Sequence, residues 1–167
     1  TDPDPAEGRP RGLYGNEFGR APAEVVRRAT KRIEPATTTN VIAMAAPSGG
    51  YGPYSSGQIV HVLTTAWTGF RSAVHESGTA PVAIHTGFWG CGAFGGNRIL
   101  MAMLQVIAAG AAGVDRLVFH APGDSGATAL DSVLRVIRES LSGAPMSDAD
   151  LVRRIASMGF EWGESDG

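Results

Sequence analysis

The segment His85-Thr-Gly-Phe-Trp-Gly-Cys-Gly-Ala-Phe-Gly-Gly-Asn97 constrains the fold more than any other part of the chain. Its glycines, at 87, 90, 92, 95 and 96, let the backbone adopt positive φ and approach a ligand or a neighbouring strand closely. Residues 81–86, just before it, form a short apolar run that predicts a strand. Residues 98–112, just after it, are apolar nearly all round and predict a buried helix. Residues 115–121 predict the next strand. A strand, glycine-rich loop, buried helix and strand together point to an α/β domain with a largely parallel sheet.

The flanking segments agree with that class. Residues 1–20 read as a polar lead with turns at Gly8, Gly12, Gly15 and Gly19. Thr1, with its own amine, would be a nucleophile only if preorganised, and Asp2-Pro3-Asp4-Pro5 favours a flexible start. A helix is predicted from Pro22, with Val25, Val26, Ala29 and Ile33 on one face, ending at Pro35. Its basic face reads as solvated. Residues 41–46 predict a buried strand. The loop 47–56 carries Tyr51 and Tyr54 among glycines and prolines, and reads either as ligand-facing or as a plain surface loop. Ser55 or Ser56 can cap a helix whose apolar stripe is Ile59, Leu63, Ala66, Phe70 and Ala73. Residues 127–141 predict an amphipathic helix, and Ser147 begins a cap before Leu151, Val152, Ile155 and Met158. The domain is expected over 21–160, with 161–167 as an acidic tail.

Charge and cysteine content narrow the function. The net charge is −2, with no long basic run, so binding to a nucleic-acid backbone through bulk charge is not expected. Cys91 is the single cysteine, which rules out an internal disulfide. It reads as a small packed residue, because no base partner is visible beside it in sequence. The most apolar stretch, 99–114, is short for a membrane span, and the start shows no secretory signal; an intracellular, cytoplasmic protein is expected. His61, His75 and His85 show no metal-ligand spacing, so no metal and no cofactor is expected.

The chemistry lies in the glycine-rich loop. Successive backbone N–H groups in such a turn make an anion-binding nest, and the helix behind it adds its free amides and positive end. Such a loop can hold a diphosphate without a lysine. It is not a Walker A loop, which needs Gly-Lys-Ser/Thr. Gly90-Cys-Gly-Ala-Phe-Gly95 has the G-x-G-x-x-G form, but a dinucleotide fold would also want an acid closing the next strand. Asp124 follows that strand only as Gly123-Asp124, expected in a loop.

This segment resembles the T-G-N-W-G-C-G-A-F-G-G-D run of the poly(ADP-ribose) glycohydrolases. Gly123-Asp124 resembles the F-G-D that ends that family's next strand. Residues 41–46 resemble its I-V-A-I-D-A strand, and Trp67-Thr-Gly-Phe70 its helix ending in C-G-F. The likeness spans about residues 40–125 in preserved order. It implies a three-layer, macrodomain-like α/β fold, with a largely parallel or mixed sheet flanked by helices, that binds ADP-ribose. Gly90, Cys91, Gly92, Ala93, Phe94, Gly95 and Gly96, flanked by Trp89 and Asn97, would form the diphosphate loop. Phe94 would pack beside the ribose. Phe94 and Trp89 could instead anchor the loop in the core.

The resemblance breaks at three places. The family's hydrolytic signature, three glycines followed by Gln-Glu-Glu, is absent. It lies N-terminal to the matched region, so an N-terminal segment or second chain would supply the catalytic glutamate, and the catalytic residue is unassigned here. The acid of I-V-A-I-D-A aligns with Ala45, and the aromatic residue before Gly-Asp aligns with Pro122. Tyr51, Tyr54, Phe119 or His120 would then meet adenine or ribose, although His120 also reads as a buried strand histidine. Tyr14-Gly-Asn-Glu-Phe18 falls loosely where the family has a tyrosine-rich segment. Three functions remain: a glycohydrolase-type domain completed from outside, a non-catalytic ADP-ribose or nucleotide module, and another nucleotide-diphosphate enzyme on the same scaffold. The few predicted strands also suggest that a partner completes the sheet.

Overall fold

In a computed structural model of the chain, residues 13, 15–30, 32–38, 40–121, 123–143 and 145–164 are described. The backbone clusters into two units, Thr1–Val41 with Asp166–Gly167, and Ile42–Ser165. The first unit contains α1 (Gly15–Arg20) and α2 (Ala23–Ala29). α2 buries no residue, and Ile33 is exposed. The expected helix through Ile33 therefore stops at Ala29. There the Thr30 backbone is extended and its hydroxyl donates to the Val26 carbonyl. Arg27 pairs with Glu24 on the exposed face, as solvated charges do.

The second unit holds the core. Its elements are α3 (Ser56–Glu76), β1 (Ala83–Thr86), α4 (Arg98–Ala112), β2 (Arg116–Phe119), α5 (Gly123–Val136) and α6 (Asp148–Ser157). A π-helical turn, Ile137–Leu141, continues α5. α3 begins at a reciprocal cap: the Gln58 amide donates to the Ser55 hydroxyl, and the Ser55 amide donates back to the Gln58 side chain. Its stripe of Ile59, Val62, Ala66 and Phe70 is buried. α4 lies under this stripe and buries nine of its residues, including Leu100, Met103 and Leu104. Each of its buried leucine and methionine side chains contributes about 1.5–3 kcal/mol by leaving water. Gly113, at φ 80°, stops α4 in the left-handed conformation, and the Val114 amide returns to the Ala109 carbonyl.

β1 and β2 pair in parallel, with Ile84 opposite Leu117 and Thr86 opposite Phe119. Ile84 and Leu117 pack on the α3–α4 side, and Ala83 and His85 of the other face are exposed. Asp115 accepts from the Val82 amide at 2.7 Å and extends the pairing at its start. This is an α/β arrangement whose described sheet has two strands.

The strand expected over 41–46 does not form. Val41 is 79 % exposed, and the segment has no ladder partner among the described residues. Met44 lies instead against Gly69 of α3, where a Cβ would stand 2.6 Å from its sulfur. The apolar run is thus used for packing at separate positions, Ile42 and Met44 against Gly69 and Ala46 against Gly90, rather than as a buried strand. α5 starts at Gly123, four residues before the expected 127, so Gly123 and Asp124 open a helix rather than sit in a loop. Of its neighbouring apolar residues, Val133 is fully buried and Leu134 is half exposed.

One polar side chain sits in this core. Gln105 of α4 is 0 % exposed. Its carbonyl oxygen accepts from the Thr86 hydroxyl at 2.6 Å, and its amide donates to the Gly87 carbonyl at 3.1 Å and the Met101 carbonyl at 3.3 Å. The helix is thereby bonded to the end of β1 and the first residue of the loop. Gln105→Leu, of similar volume, would take from the half-buried Thr86 hydroxyl its 2.6 Å acceptor and from the Gly87 carbonyl one of its donors, leaving that carbonyl the Trp89 amide. A loss of roughly 1–3 kcal/mol is expected, read as a lowered denaturant midpoint with unchanged slope.

Candidate functional site

The glycine-rich loop leaves β1 at Gly87 and enters α4 at Asn97. Its shape is set by its own backbone bonds. The Cys91 amide donates to Phe88, the Gly95 amide to Gly92 at 2.8 Å, and the Gly96 amide to Gly90 at 2.8 Å. Gly90 and Gly95 have φ of 75° and 63°. Gly96 is glycine for a different reason, since a Cβ there would lie 2.6 Å from the Gly90 carbonyl oxygen. These bonds fold the segment into a tight double turn with Gly95 and Gly96 buried, Gly92 and Ala93 half-buried, and Phe94 45 % exposed. The amides of Gly92 and Phe94 donate to no described group. The first-turn amides of α4, Arg98 and Ile99, have no intrahelical acceptor. Free N–H groups at a loop tip and at a helix start are the groups that hold an anion.

Asn97 joins the loop to the helix with three bonds. Its side-chain oxygen caps the Leu100 amide at 3.0 Å, its backbone amide donates to the Tyr54 hydroxyl at 3.1 Å, and its side-chain amide donates to the Glu161 carbonyl at 3.0 Å. Tyr54 is 4 % exposed. Burial pushes its phenol up, with the Asn97 amide acting against that shift. Tyr54 therefore supports the loop from beneath.

The other residues singled out in the sequence separate into distinct groups. Trp89 packs against both parts of the core, and its indole N–H is buried without a partner. It anchors the loop, whereas the Phe94 ring stays outside. Tyr51 is fully exposed. Phe119 is half-buried with its ring 6.0 Å from Phe88, and the Arg98 guanidinium lies 5.6 Å from the Phe88 ring centre. His120 is exposed rather than buried, because strand alternation turns it away from Phe119 and Leu117. Its Nε2 lies 2.8 Å from His85 Nδ1, and the two rings stack at the carboxyl ends of the strands. Parallel sheets place ligands at that end. Pro122 and Tyr14 lie outside the described residues, as do the side chains of Glu17 and Asp124. Among the described residues, no group of three metal-ligating side chains occurs.

Sequence reasoning missed the 160–163 segment as a part of this site, and left the 47–56 loop open between ligand-facing and plain surface. Gly49, at φ 96°, brings a would-be Cβ to 3.6 Å from the Phe94 carbonyl, and Ala46 touches Gly90. The legible signal was Trp162, a large aromatic residue in a supposed tail.

Cys91 is 8 % exposed. Burial pushes its thiol up to about 12, partly offset by the Arg98 charge. A thiol so hard to ionise is neither a nucleophile nor a metal ligand at neutral pH. It should resist a thiol reagent at pH 8 in the folded chain and react fully once unfolded. The unfolded thiol ionises near 8.5, so folding stability is unaffected below that pH and falls as pH rises from about 9 toward about 12. Cys91→Ala should flatten that alkaline decline, as measured by urea unfolding at a series of pH values.

The family model for poly (ADP-ribose) glycohydrolase (PARG), macro domain fold, matches residues 13–129. The match covers more than half of the chain and contains β1, the glycine-rich loop, α4 and β2. No helix among the described residues is long and apolar enough to cross a membrane. On this match, together with the α/β core and the loop geometry, the chain belongs to the poly(ADP-ribose) glycohydrolase family of macro domain fold.

Proposed function

We propose that this chain supplies the ADP-ribose diphosphate site of a glycohydrolase-type domain whose catalytic glutamate comes from an N-terminal segment or second chain. The carrying observation is that the amides of Gly92 and Phe94 donate to no described group and those of Arg98 and Ile99 have no intrahelical acceptor, all within the loop and the helix start that follows it. The diphosphate would lie on those amides. The exposed Phe94 ring would face the ribose, and Phe119, His120 and Tyr51 would be the groups available to the adenosine end.

The reaction needs a carboxylic acid to protonate the leaving ribose oxygen as the glycosidic C–O bond breaks, and a water to take the resulting oxocarbenium-like carbon. An acid suited to that task is partly desolvated so that it stays protonated. The glutamates whose side chains are described, at 24, 34, 76, 139, 161 and 164, are all exposed. None of these is held as such an acid would be, which leaves the catalytic group to come from beyond the described side chains. What these residues can contribute is orientation, which can supply about 7–11 kcal/mol of barrier reduction when the geometry is right.

The same observation favours a second reading, a binding module that holds ADP-ribose without cleaving it. The two part on one experiment. The chain is titrated calorimetrically with ADP-ribose, alone and as Gly92→Glu, whose carboxylate would occupy the diphosphate position. Binding by the parent and its loss in the folded variant are expected. Hydrolysis of poly(ADP-ribose) that appears only when a longer gene product is used supports the completed enzyme. Binding with no hydrolysis in the longer product favours the module. Absence of binding by both proteins would defeat both readings.

A further inference from the structure

We infer that residues 160–163 are a brace that sets the glycine-rich loop in its ligand-holding shape, with Trp162 as the positioning residue. The role as a ligand site rests on the function proposed above; the brace itself rests on contacts. The segment crosses the loop 50–54 and then the glycine-rich loop, bonding to both. The Tyr54 amide donates to the Phe160 carbonyl at 2.9 Å, Pro53 and Glu161 form an antiparallel bridge, and the Trp162 amide donates to the Gly52 carbonyl at 3.0 Å. On the other side, Asn97 donates its side-chain amide to the Glu161 carbonyl, and the Gly163 amide donates to the Gly95 carbonyl at 2.8 Å.

Trp162 locks this crossing. Its ring stacks on Tyr54 with centroids 4.2 Å apart and planes 13° apart. A Cβ on Gly50 would stand 2.4 Å from the indole, so residue 50 must be glycine to admit the ring. Tyr54, held by that stack, offers its hydroxyl to the Asn97 amide. The brace therefore grips Gly95 and Asn97, the last turn of the loop and the cap of α4. Those two points decide where the free amides stand relative to each other. The brace also lies beyond residue 129, where the family match ends.

The indole N–H of Trp162 is buried and bonds to no described group. Its contribution is thus the flat face, and a phenyl ring should replace it. This gives a test that mere loss of stability would not mimic. Trp162→Ala, Trp162→Phe and Asn97→Asp are compared with the parent by amide hydrogen exchange and by calorimetric titration with ADP-ribose. Aspartate keeps the helix cap but cannot donate to the Glu161 carbonyl. Trp162→Ala should speed exchange at Gly95, Gly96 and Asn97 and weaken ADP-ribose binding by about tenfold or more, about 1.4 kcal/mol. Amides of α5 should exchange as in the parent. Trp162→Phe should restore both readouts, and Asn97→Asp should shift both in the same direction as alanine. If Trp162→Ala unfolds the chain, Asn97→Asp carries the comparison. Parent-like exchange and affinity in a folded Trp162→Ala or Asn97→Asp would overturn the brace. Faster loop exchange in a chain whose parent binds no ADP-ribose would uphold the brace and defeat the function proposed for the site.

Discussion

The buried amide of Gln105 ties the chemistry-bearing loop to the core. A primary amide inside an apolar helix costs several kcal/mol unless both of its ends are bonded. Here the oxygen takes the Thr86 hydroxyl and the nitrogen gives to Gly87. These are the last residue of β1 and the first of the loop. The helix, the strand end and the loop start are thus fixed to one another at a single polar point in an otherwise apolar interior. At the far end of the loop, Asn97 performs the corresponding task with three bonds. A segment rich in glycine would pay heavily in entropy to hold one shape. Bonds at both ends, and four backbone bonds among the described residues within, offset that cost.

Seen this way, the glycines have unequal duties. Gly90 and Gly95 take positive φ, and Gly96 makes room for the Gly90 carbonyl. Gly92 is half-buried with an amide that donates to no described group. Trp89 and Phe94, neighbours in an aromatic-rich loop, also divide: one fills the core, the other stays in water. A loop built like this separates rigidity from recognition. Its buried half carries the internal bonds, and its open half keeps amides and one ring that a ligand of the proposed kind would use.

Local patterns made much of this legible. Strand, loop, buried helix and strand over 82–119 follow from apolar runs and glycine spacing; of the two serines able to cap α3 it is Ser55 that does so, and Ser147 caps α6 as expected. Failures came where a short apolar run had two uses. Residues 41–46 look like a buried strand, yet pairing requires a partner edge, and no local signal reports whether one is there. His120 illustrates the same limit: alternation predicts two faces but not which face the core covers. The 160–163 segment was hidden because its partners are more than sixty residues away, and only the oddity of a tryptophan in an acidic stretch hinted at it.

The proposed site offers free amides to a ligand, and no described glutamate is placed to cleave one. Holding and cleaving make opposite electrostatic demands. A diphosphate is held best by uncharged amides whose dipoles converge, with carboxylates kept away. A glycosidic bond is cleaved only if a carboxyl group comes close to the ribose oxygen. Placing the acid on a different segment resolves the conflict, because the anion-binding loop can be packed and braced without a buried carboxylate beside it. The exposed position of every described glutamate, and the absence of lysine from the loop, are what that separation would produce in the half that binds.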